Sequence, residues 1–458
     1  MAETAKRLLM HALKMLLVIL NAALFAICLK IFFIKDLVSV NNGMQAVIVM
    51  VYMLLLVLLM KIYNAYDIDM SSAKELFFSS SLSVCVMECM AYALLSVGFW
   101  KLFNPIPFLG LMAAQILVNL VWCCISKFVN RKVTRVKKTV IVYQNDSDLQ
   151  KLNEIRRHRE YFSVQKYIRN PQDIHLLIEE LEGFEVVFVA GVNATLRNGI
   201  AKYCVERDVC AYIEPRIGDV LMAGARHIRT FSIPTVRIMK AAPLPEYLFV
   251  KRAFDIFASF VGILLTSPIM LAIAIAIKLD DGGPILYKQE RLTKGRKEFK
   301  ILKFRSMRVD AEKDGVARLT SKNDDRITRI GRIIRKCRMD ELPQLFNILS
   351  GSMTIVGPRP ERREIAEQYE KNIPAFRLRL QVKAGLTGYA QIYGRYNTHP
   401  YDKLQMDLMY INKMSVMEDL HLMLATVKIL FSGKSAEGIE DGDTTAERRV
   451  NEDVKESA

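Results

Sequence analysis

Two neighbouring carboxylates, Asp340 and Glu341, are the residues of this sequence best suited to do chemistry. They stand at the predicted start of a short apolar helix, for which Asp340 is the expected N-cap. Arg359 follows between Pro358 and Pro360, in a turn rigid enough to aim one guanidinium. A carboxylate of this pair could attack a phosphate while the arginine neutralises its charge. The alternative is that the two acids only cap the helix.

Basic residues upstream of the two acids could complete a phosphate site. Lys303 and Arg305 stand two residues apart in a predicted strand, so they would share one face. Residues 329–337 predict an amphipathic helix with a basic face, which is typical of a helix that lies on anionic lipid. Arg335, just before the acids, is the cation of that helix best placed to reach a phosphate that they attack.

The elements that must position these residues belong to a multidomain membrane protein. Apolar runs near the ~20 residues that a membrane helix needs lie at about 9–34, 44–63, 76–100 and 106–129. Basic residues crowd the end of the fourth run, which places that end, and after four crossings the N-terminus, in the cytoplasm. Glu88, in the third run, is either a functional acid or a polar contact within the helix bundle.

The net charge of +16 lies mostly downstream of the apolar runs. It indicates anionic lipids and phosphates as partners, and no nucleic acid, because no nucleic-acid recognition motif is present. Residues 137–245 alternate short β-rich runs with amphipathic helices, which predicts a Rossmann-like parallel α/β domain. No Gly-rich fingerprint follows its first strand, so we expect a structural or regulatory role and not dinucleotide binding.

One more apolar segment, residues 254–279, is long enough to cross a membrane but contains Ser267 and Pro268 at its middle. Proline removes a backbone hydrogen bond and bends a helix. Because basic residues flank both ends, we expect a re-entrant hairpin that keeps both ends in the cytoplasm, and not a fifth crossing.

Residues 251–431 contain, in order, the motifs KRAFD (251–255), the Ser267-Pro268 break, KFRSM (303–307), RMDELPQL (338–345), VGPRPE (356–361) and GLTG (385–388). With these motifs the segment resembles the bacterial sugar transferase family, the monotopic polyprenyl-phosphate hexose-1-phosphate transferases or phosphoglycosyl transferases. The family's Lys-Pro-Gly is Lys383-Ala384-Gly385 here, and its Trp after Thr-Gly is Tyr389. With the segments that precede it, the chain looks like the large form of the family.

The resemblance implies a reaction at the inner leaflet of the bacterial inner membrane. A cytoplasmic UDP-sugar would donate hexose-1-phosphate to undecaprenyl phosphate and release UMP, as the first membrane step of exopolysaccharide, capsule or O-antigen repeat-unit synthesis. The predicted organisation is four transmembrane helices over 1–136, the Rossmann-like domain over 137–245, an α/β catalytic domain with its re-entrant hairpin over 246–433, and a disordered acidic tail over 434–458. A homodimer is one assembly that this organisation leaves open.

The resemblance also implies a role for each candidate residue. Asp340 would be the nucleophile that forms a covalent phosphosugar-aspartate intermediate, and Glu341 a ligand of catalytic Mg²⁺. Arg335 would act with them, and we expect it and the helix N-terminus to lower the pKa of Asp340. The substrate contacts would be Arg359, Lys303, Arg305, Pro358 and Pro360.

Two alternatives from other classes stay open. The chain could be a membrane-bound regulatory scaffold of polysaccharide synthesis, although an intact acid pair argues against that role. It could instead be a Leloir-type glycosyltransferase that extends a lipid-linked sugar. The nucleotide released distinguishes the two enzymes, because phosphosugar transfer yields UMP and glycosyl transfer yields UDP.

Overall fold

The computed structural model describes residues 2–33, 42–152, 155, 159–228, 235–241, 243–308, 326–394 and 398–432. The chain divides into two compact units, Met1–Glu214 and Pro215–Ala458. The acidic tail over 434–458, predicted to be disordered, lies outside the described residues.

The first unit opens with long apolar helices, each long and apolar enough to cross a membrane. α1 and α3 each pack against both α2 and α4. α1 begins earlier than the apolar run at 9–34 predicted, because the polar residues before that run continue the helix. The bounds are α1 (Ala2–Phe32), α2 (Asn42–Ile62), α3 (Ala73–Gly98) and α4 (Ile106–Val133).

Polar side chains from all four of these helices meet in their interior. The Tyr52 hydroxyl donates to Glu88 Oε1 at 2.7 Å, and Gln115 Nε2 donates to Tyr52 Oη at 2.8 Å. Gln115 also donates to the carbonyl of Asn21, whose own side chain donates to Asn119. Glu88 is therefore a polar contact that links α2, α3 and α4 through hydrogen bonds, which matters where no water competes.

The remainder of the first unit is a four-stranded parallel sheet with strand order β2-β1-β3-β4. Its two central strands, β1 and β3, are apolar runs buried between helices, and the parallel α/β arrangement is the one that the alternating pattern predicted. The bounds are β1 (Lys137–Tyr143), α5 (Asp146–Leu152), β2 (Phe162–Arg169), α6 (Ile174–Leu181), β3 (Val186–Ala190), α7 (Ala194–Glu206) and β4 (Cys210–Ile213).

The strand order reverses between β1 and β3, where parallel sheets of this kind bind ligands. Acidic side chains lie there. Glu214 Oε2 accepts from Gly191 N at 3.2 Å, and Asp148 Oδ2 accepts from Asn145 N at 3.1 Å. Gly191 has φ +70°, and a Cβ on it would run into the Asp148 carboxylate. Two carboxylates at this edge would repel a pyrophosphate, which agrees with the missing Gly-rich fingerprint.

The second unit carries the candidate site residues. It contains a parallel strand pair, β9 with β10, and two antiparallel pairs, β5 with β6 and β7 with β8. The bounds are α8 (Ile217–Ala223), β5 (Arg226–Ile228), β6 (Thr235–Arg237), α9 (Pro245–Asp281), β7 (Leu286–Leu292), β8 (Glu298–Phe304), α10 (Arg329–Lys336), α11 (Gln344–Ser350), β9 (Thr354–Val356), α12 (Arg363–Asn372), β10 (Gly385–Thr387), α13 (Tyr389–Ile392), α14 (Pro400–Lys413) and α15 (Val416–Ser432).

The core of the second unit includes a helix from ahead of the predicted catalytic domain. Val220, on α8, is 4% exposed and belongs to the same apolar cluster as Leu404 and Leu408 of α14. Asn412 Nδ2 donates to the Val220 carbonyl at 2.6 Å. The structure divides after Glu214, so α8 packs within the second unit although it lies ahead of residue 246, where the catalytic domain was predicted to begin.

α9 holds the segment that was predicted to be a re-entrant hairpin. It is helical throughout, with Pro268 inside it. Proline cannot donate to the carbonyl of Leu264 four residues before it. The Ser267 hydroxyl does so instead, at 2.8 Å. Ser267 thus replaces the hydrogen bond that Pro268 removes, and whether α9 re-enters or crosses a membrane stays a prediction.

Candidate active site

The acid pair lies in a short 3₁₀ turn, Met339–Glu341, between α10 and α11. Arg338 precedes it in the left-handed conformation, with φ 53°. α11 begins only at Gln344, with Pro343 at its N-cap position. The prediction that Asp340 caps this helix was therefore wrong, because the sharp turn at Arg338 places both acids before the helix.

Glu341 is held by two cations from separate segments. Its Oε1 atom accepts from Lys303 Nζ at 2.9 Å and from Arg359 Nη2 at 2.7 Å. Lys303 is the penultimate residue of β8, and Arg359 lies in the turn that follows β9. Burial alone would raise the pKa of Glu341, but Arg359 and Lys303 outweigh burial and hold the pKa well below its usual range. Glu341 is thus a fixed anion at neutral pH.

Asp340 has a different environment although it is the next residue. Among the described residues, none donates a hydrogen bond to its carboxylate. Burial raises the pKa of Asp340, and the negative charge of Glu341 adds to this, against the opposing effect of Lys303, Arg335 and Arg359. The expectation of a lowered pKa was therefore wrong. A desolvated carboxylate without hydrogen-bond donors is a more basic, more reactive nucleophile than a capped one.

The remaining candidates occupy different positions. Arg335, in the last turn of α10, acts electrostatically on Asp340. Pro358 and Pro360 are buried on either side of Arg359. β8 ends at Phe304, so the strand alternation that predicted a face shared with Lys303 does not extend to Arg305. The buried Arg305 guanidinium lies against the backbone at Gly283, just after α9.

α9 is joined to both segments that carry the site. Arg252 donates to the carbonyls of Ile348 and Leu349, at the end of α11, at 2.7 and 2.8 Å. Asp255, which is 4% exposed, accepts from Ile355 N at 3.0 Å and from the Thr354 hydroxyl at 2.8 Å, both on β9. These contacts fix α9 to the helix after the acids and to the strand before Arg359.

Arg252 and Asp255 lie in the KRAFD motif that carries the resemblance, but neither was among the predicted site residues. Asn347 was not singled out. Its side chain accepts from Leu302 N and donates to the Lys300 carbonyl, at 2.8 and 2.9 Å. Asn347 thereby holds β8, and with it Lys303, against α11. The signal available in the sequence was an amide among the leucines, phenylalanine and isoleucine of the predicted helix.

The glycine-rich loop after residue 383 packs against the turn that carries Arg359. The backbones of Gly385 and Gly357 lie so close that a Cβ on Gly385 would clash with the backbone of Gly357. Ala384 and Tyr389, the two residues that depart from the family pattern, each donate a hydrogen bond. Ala384 N donates to Thr293 Oγ1 at 3.1 Å, which a proline could not do. The Tyr389 hydroxyl donates to Glu418 Oε1 at 2.8 Å.

The donor set can be tested against the Mg²⁺ that the resemblance implies. Within the described ranges, no group of three or more His, Cys, Asp and Glu residues could form a metal site from protein ligands alone. Mg²⁺ commonly binds through one or two carboxylates together with substrate phosphates. Glu341 Oε1 takes both cations, and no described residue donates a hydrogen bond to Oε2. Adjacent carboxylates with free oxygens therefore fit Mg²⁺ bound together with a substrate.

Comparison with known proteins gives a consistent picture. Residues 246–433 match the family model described as bacterial sugar transferase. A UDP-N-acetylgalactosamine-undecaprenyl-phosphate N-acetylgalactosaminephosphotransferase from Aeromonas hydrophila is 41% identical over 197 residues, which cover 42% of this chain and 46% of the relative. The UDP-glucose:undecaprenyl-phosphate glucose-1-phosphate transferase of Escherichia coli K12 is 42% identical over 191 residues, or 41% of each chain.

A smaller relative matches over almost its entire length. The exopolysaccharide production protein PSS of Rhizobium leguminosarum bv. phaseoli is 43% identical over 191 residues, which cover 39% of this chain and 94% of the relative. The match thus spans less than half of the two larger relatives. The apolar helices of the first unit add the character of a membrane protein. This chain belongs to the bacterial sugar transferase family.

Proposed function

We propose that this protein transfers hexose-1-phosphate from a UDP-sugar to undecaprenyl phosphate and releases UMP, as the first membrane step of exopolysaccharide, capsule or O-antigen repeat-unit synthesis. The relatives named above, which act on UDP-N-acetylgalactosamine or UDP-glucose by name, support the reaction class and leave the hexose open. The observation that carries the proposal is the contrast between two adjacent acids. Glu341 is held by two cations, whereas no residue that the structure describes donates a hydrogen bond to the Asp340 carboxylate.

In the first step, the Asp340 carboxylate attacks the phosphorus that bears the sugar. A bond forms between the carboxylate oxygen and phosphorus, the bond to the bridging oxygen of the diphosphate breaks, and UMP leaves. The phosphosugar remains on the enzyme as an acyl phosphate. In the second step a phosphate oxygen of undecaprenyl phosphate attacks the same phosphorus and releases the carboxylate. Two separate steps avoid an encounter between two polyanionic substrates.

The cations around the acid pair fit the charges of these steps. Lys303 and Arg359 already neutralise Glu341, and a guanidinium such as that of Arg359 has a planar fork of donors that matches the geometry of a phosphate. Arg335 approaches Asp340 from α10. Glu341 would hold Mg²⁺ when it is bound, and the ion would supply positive charge against the diphosphate. Fixed cations in a partly buried site stabilise the charge that develops on the phosphoryl oxygens.

The membrane arrangement is part of the same proposal. α1 to α4 form four crossings, and the second unit lies on the cytoplasmic face of the inner membrane, with the basic face of α10 on anionic lipid. α9 re-enters and does not cross. Residues near both of its ends, Arg252 and Ile277, contact the same α/β unit, whereas Phe257 and Leu265 between them are exposed and apolar. A crossing helix would carry one set of these contacts to the opposite side of the bilayer.

A test uses the full chain in nanodiscs with undecaprenyl phosphate and a panel of UDP-sugars. The proposal expects UMP as the released nucleotide and, with UDP-sugar alone, a protein whose mass rises by one hexose-phosphate mapped to Asp340. Release of UDP would identify the Leloir-type reaction instead. No nucleotide release with any UDP-sugar would favour a scaffold. A sequential kinetic pattern without an adduct would contradict the covalent intermediate.

A further inference from the structure

A buried ion pair lies behind the turn that carries Arg359. Arg379 Nε and Nη2 lie 2.8 and 2.7 Å from Asp407 Oδ2 on α14. The two side chains are only 3% and 1% exposed. Removing two charges from water is expensive, and apolar residues of similar size often stabilise a core as well or better. The pair therefore needs an explanation other than stability of the fold.

The Arg379 guanidinium also reaches the turn itself. Its Nη2 donates to the backbone carbonyl of Arg359 at 2.9 Å, and its Nη1 lies 3.6 Å from Glu361 Oε1. Burial would raise the pKa of Glu361, but Arg379, Lys403 and Arg291 outweigh burial and lower it. One planar guanidinium thus joins α14 to residues on both sides of Pro360, a task for which its rigid fork is suited.

The direction of the Arg359 side chain depends on the backbone of the turn that carries it. It is 41% exposed, so packing alone does not fix its direction toward Glu341. The turn between two prolines has few conformations, and its orientation in the unit is set by what holds its carbonyls. Arg379 binds the carbonyl of Arg359. Arg291 Nη1 donates to the next carbonyl, that of Pro360, at 3.3 Å. A displacement of the turn would carry the guanidinium away from the acid pair.

We infer that Arg379, held by Asp407, is a positioning residue that sets the direction of the Arg359 guanidinium toward the site of phosphoryl transfer. This inference rests on the proposed function. Arg379 itself touches neither acid of the pair, so it acts through Arg359. Its effect on the reaction must therefore vanish when the Arg359 side chain is absent.

The test is a double-mutant cycle in the full chain. Arg379→Met alone would leave a buried unpaired Asp407 and could unfold the protein, so both members are replaced together, as Arg379→Met with Asp407→Met. This pair of substitutions is made in the natural chain and in Arg359→Ala. In the natural chain we expect kcat/KM for UMP release to fall about 100-fold, the effect of a reacting group displaced by about 1 Å. In Arg359→Ala we expect no further loss.

Equal losses in both backgrounds would overturn the inference, since they would mean that the ion pair supports the fold generally. Affinity for UMP, measured by calorimetric titration of the same four proteins, decides the cycle if Arg359→Ala releases UMP below detection. Arg377→Met is the matched control, an exposed arginine two residues away, and should change neither quantity. A natural chain that releases no UMP from any UDP-sugar would refute the proposed function, whereas unchanged activity in the pair variant would refute only the positioning role.

Discussion

Arg359 Nη2 lies 2.7 Å from Glu341 Oε1, so the proline-flanked turn is tied to the acid beside the proposed nucleophile and not to the nucleophile itself. Lys303 reaches the same oxygen from β8. Two cations on one oxygen keep Glu341 ionised and in place. This arrangement leaves the Asp340 carboxylate free of hydrogen-bond donors from the described residues.

Asp340→Asn keeps the size of the side chain but removes its charge and nucleophilicity. We expect UMP release to fall at least about 10³-fold, both with and without the lipid acceptor, because loss of a nucleophile removes the whole covalent route. Asp280→Asn, at an exposed position near the end of α9, serves as the control and should behave like the natural chain. A hexose-phosphate adduct that persists in Asp340→Asn would locate the nucleophile elsewhere.

Glu341→Gln should lower activity by a different route. The neutral amide leaves Lys303 and Arg359 without the anion that they share, and it weakens the proposed Mg²⁺ ligand. We expect a higher Mg²⁺ concentration for half-maximal UMP release, with partial recovery at saturating Mg²⁺. An unchanged Mg²⁺ requirement together with a lowered maximum would assign Glu341 to the organisation of the cations alone.

Acid should remove a stabilising contribution at Glu361. The pKa of Glu361 is lowered in the folded protein from its usual 4.5. A lowered folded pKa gives stability that is complete above the unfolded pKa and is lost as pH falls through the folded pKa. Thermal unfolding should therefore show the natural chain more stable than Glu361→Gln at neutral pH, with the difference shrinking below about pH 4.5. A difference that stays constant with pH would exclude this linkage.

Asp255→Ala should loosen the attachment of α9 to β9. The substitution leaves Ile355 N and the Thr354 hydroxyl without their shared acceptor. A buried donor that loses its acceptor destabilises a protein by about 1–3 kcal/mol. We expect a lower unfolding temperature in detergent, while Glu246→Ala, an exposed acid in the first turn of the same helix, should have little effect. Equal unfolding temperatures would show that apolar packing alone holds α9.

Truncation can separate the two candidate starts of the catalytic unit. A chain that begins at Pro215 keeps α8 and its Val220 contact with the core, and we expect it to release UMP with normal stability. A chain that begins at Pro245 loses that contact, worth about 1.5–3 kcal/mol for one buried aliphatic side chain. We expect it to retain some transfer but to unfold at lower temperature. Equal stability of both would favour the later boundary.

Local sequence patterns predicted the apolar helices and the parallel sheet of the first unit. The parallel sheet of the first unit was confirmed because the alternation of short β-rich runs with amphipathic helices is a local property of the sequence. The predicted start of α11 was wrong, and the reason is also local. Arg338 adopts a left-handed conformation that sequence alone gives little cause to expect for a residue other than glycine.

Features that depend on distant partners could not be predicted in this way. The pKa of Asp340 follows from burial and from the neighbouring Glu341, which outweigh the cations that the sequence suggested. Arg379 and Asp407 stand 28 residues apart, in segments whose meeting is decided by the tertiary fold. The same is true of Val220, whose burial against α14 depends on contacts across 192 residues, as the bond from Asn412 shows.

The attachment of α9 couples an apolar helix directly to the candidate active site. Because Arg252 holds α11 and Asp255 holds β9, the apolar helix and the segments that carry Glu341 and Arg359 move together. The distance between α9 and the candidate site is therefore set by hydrogen bonds from α9 to the segments on either side of that site. A displacement of α9 would therefore displace the segments that carry Glu341 and Arg359 together.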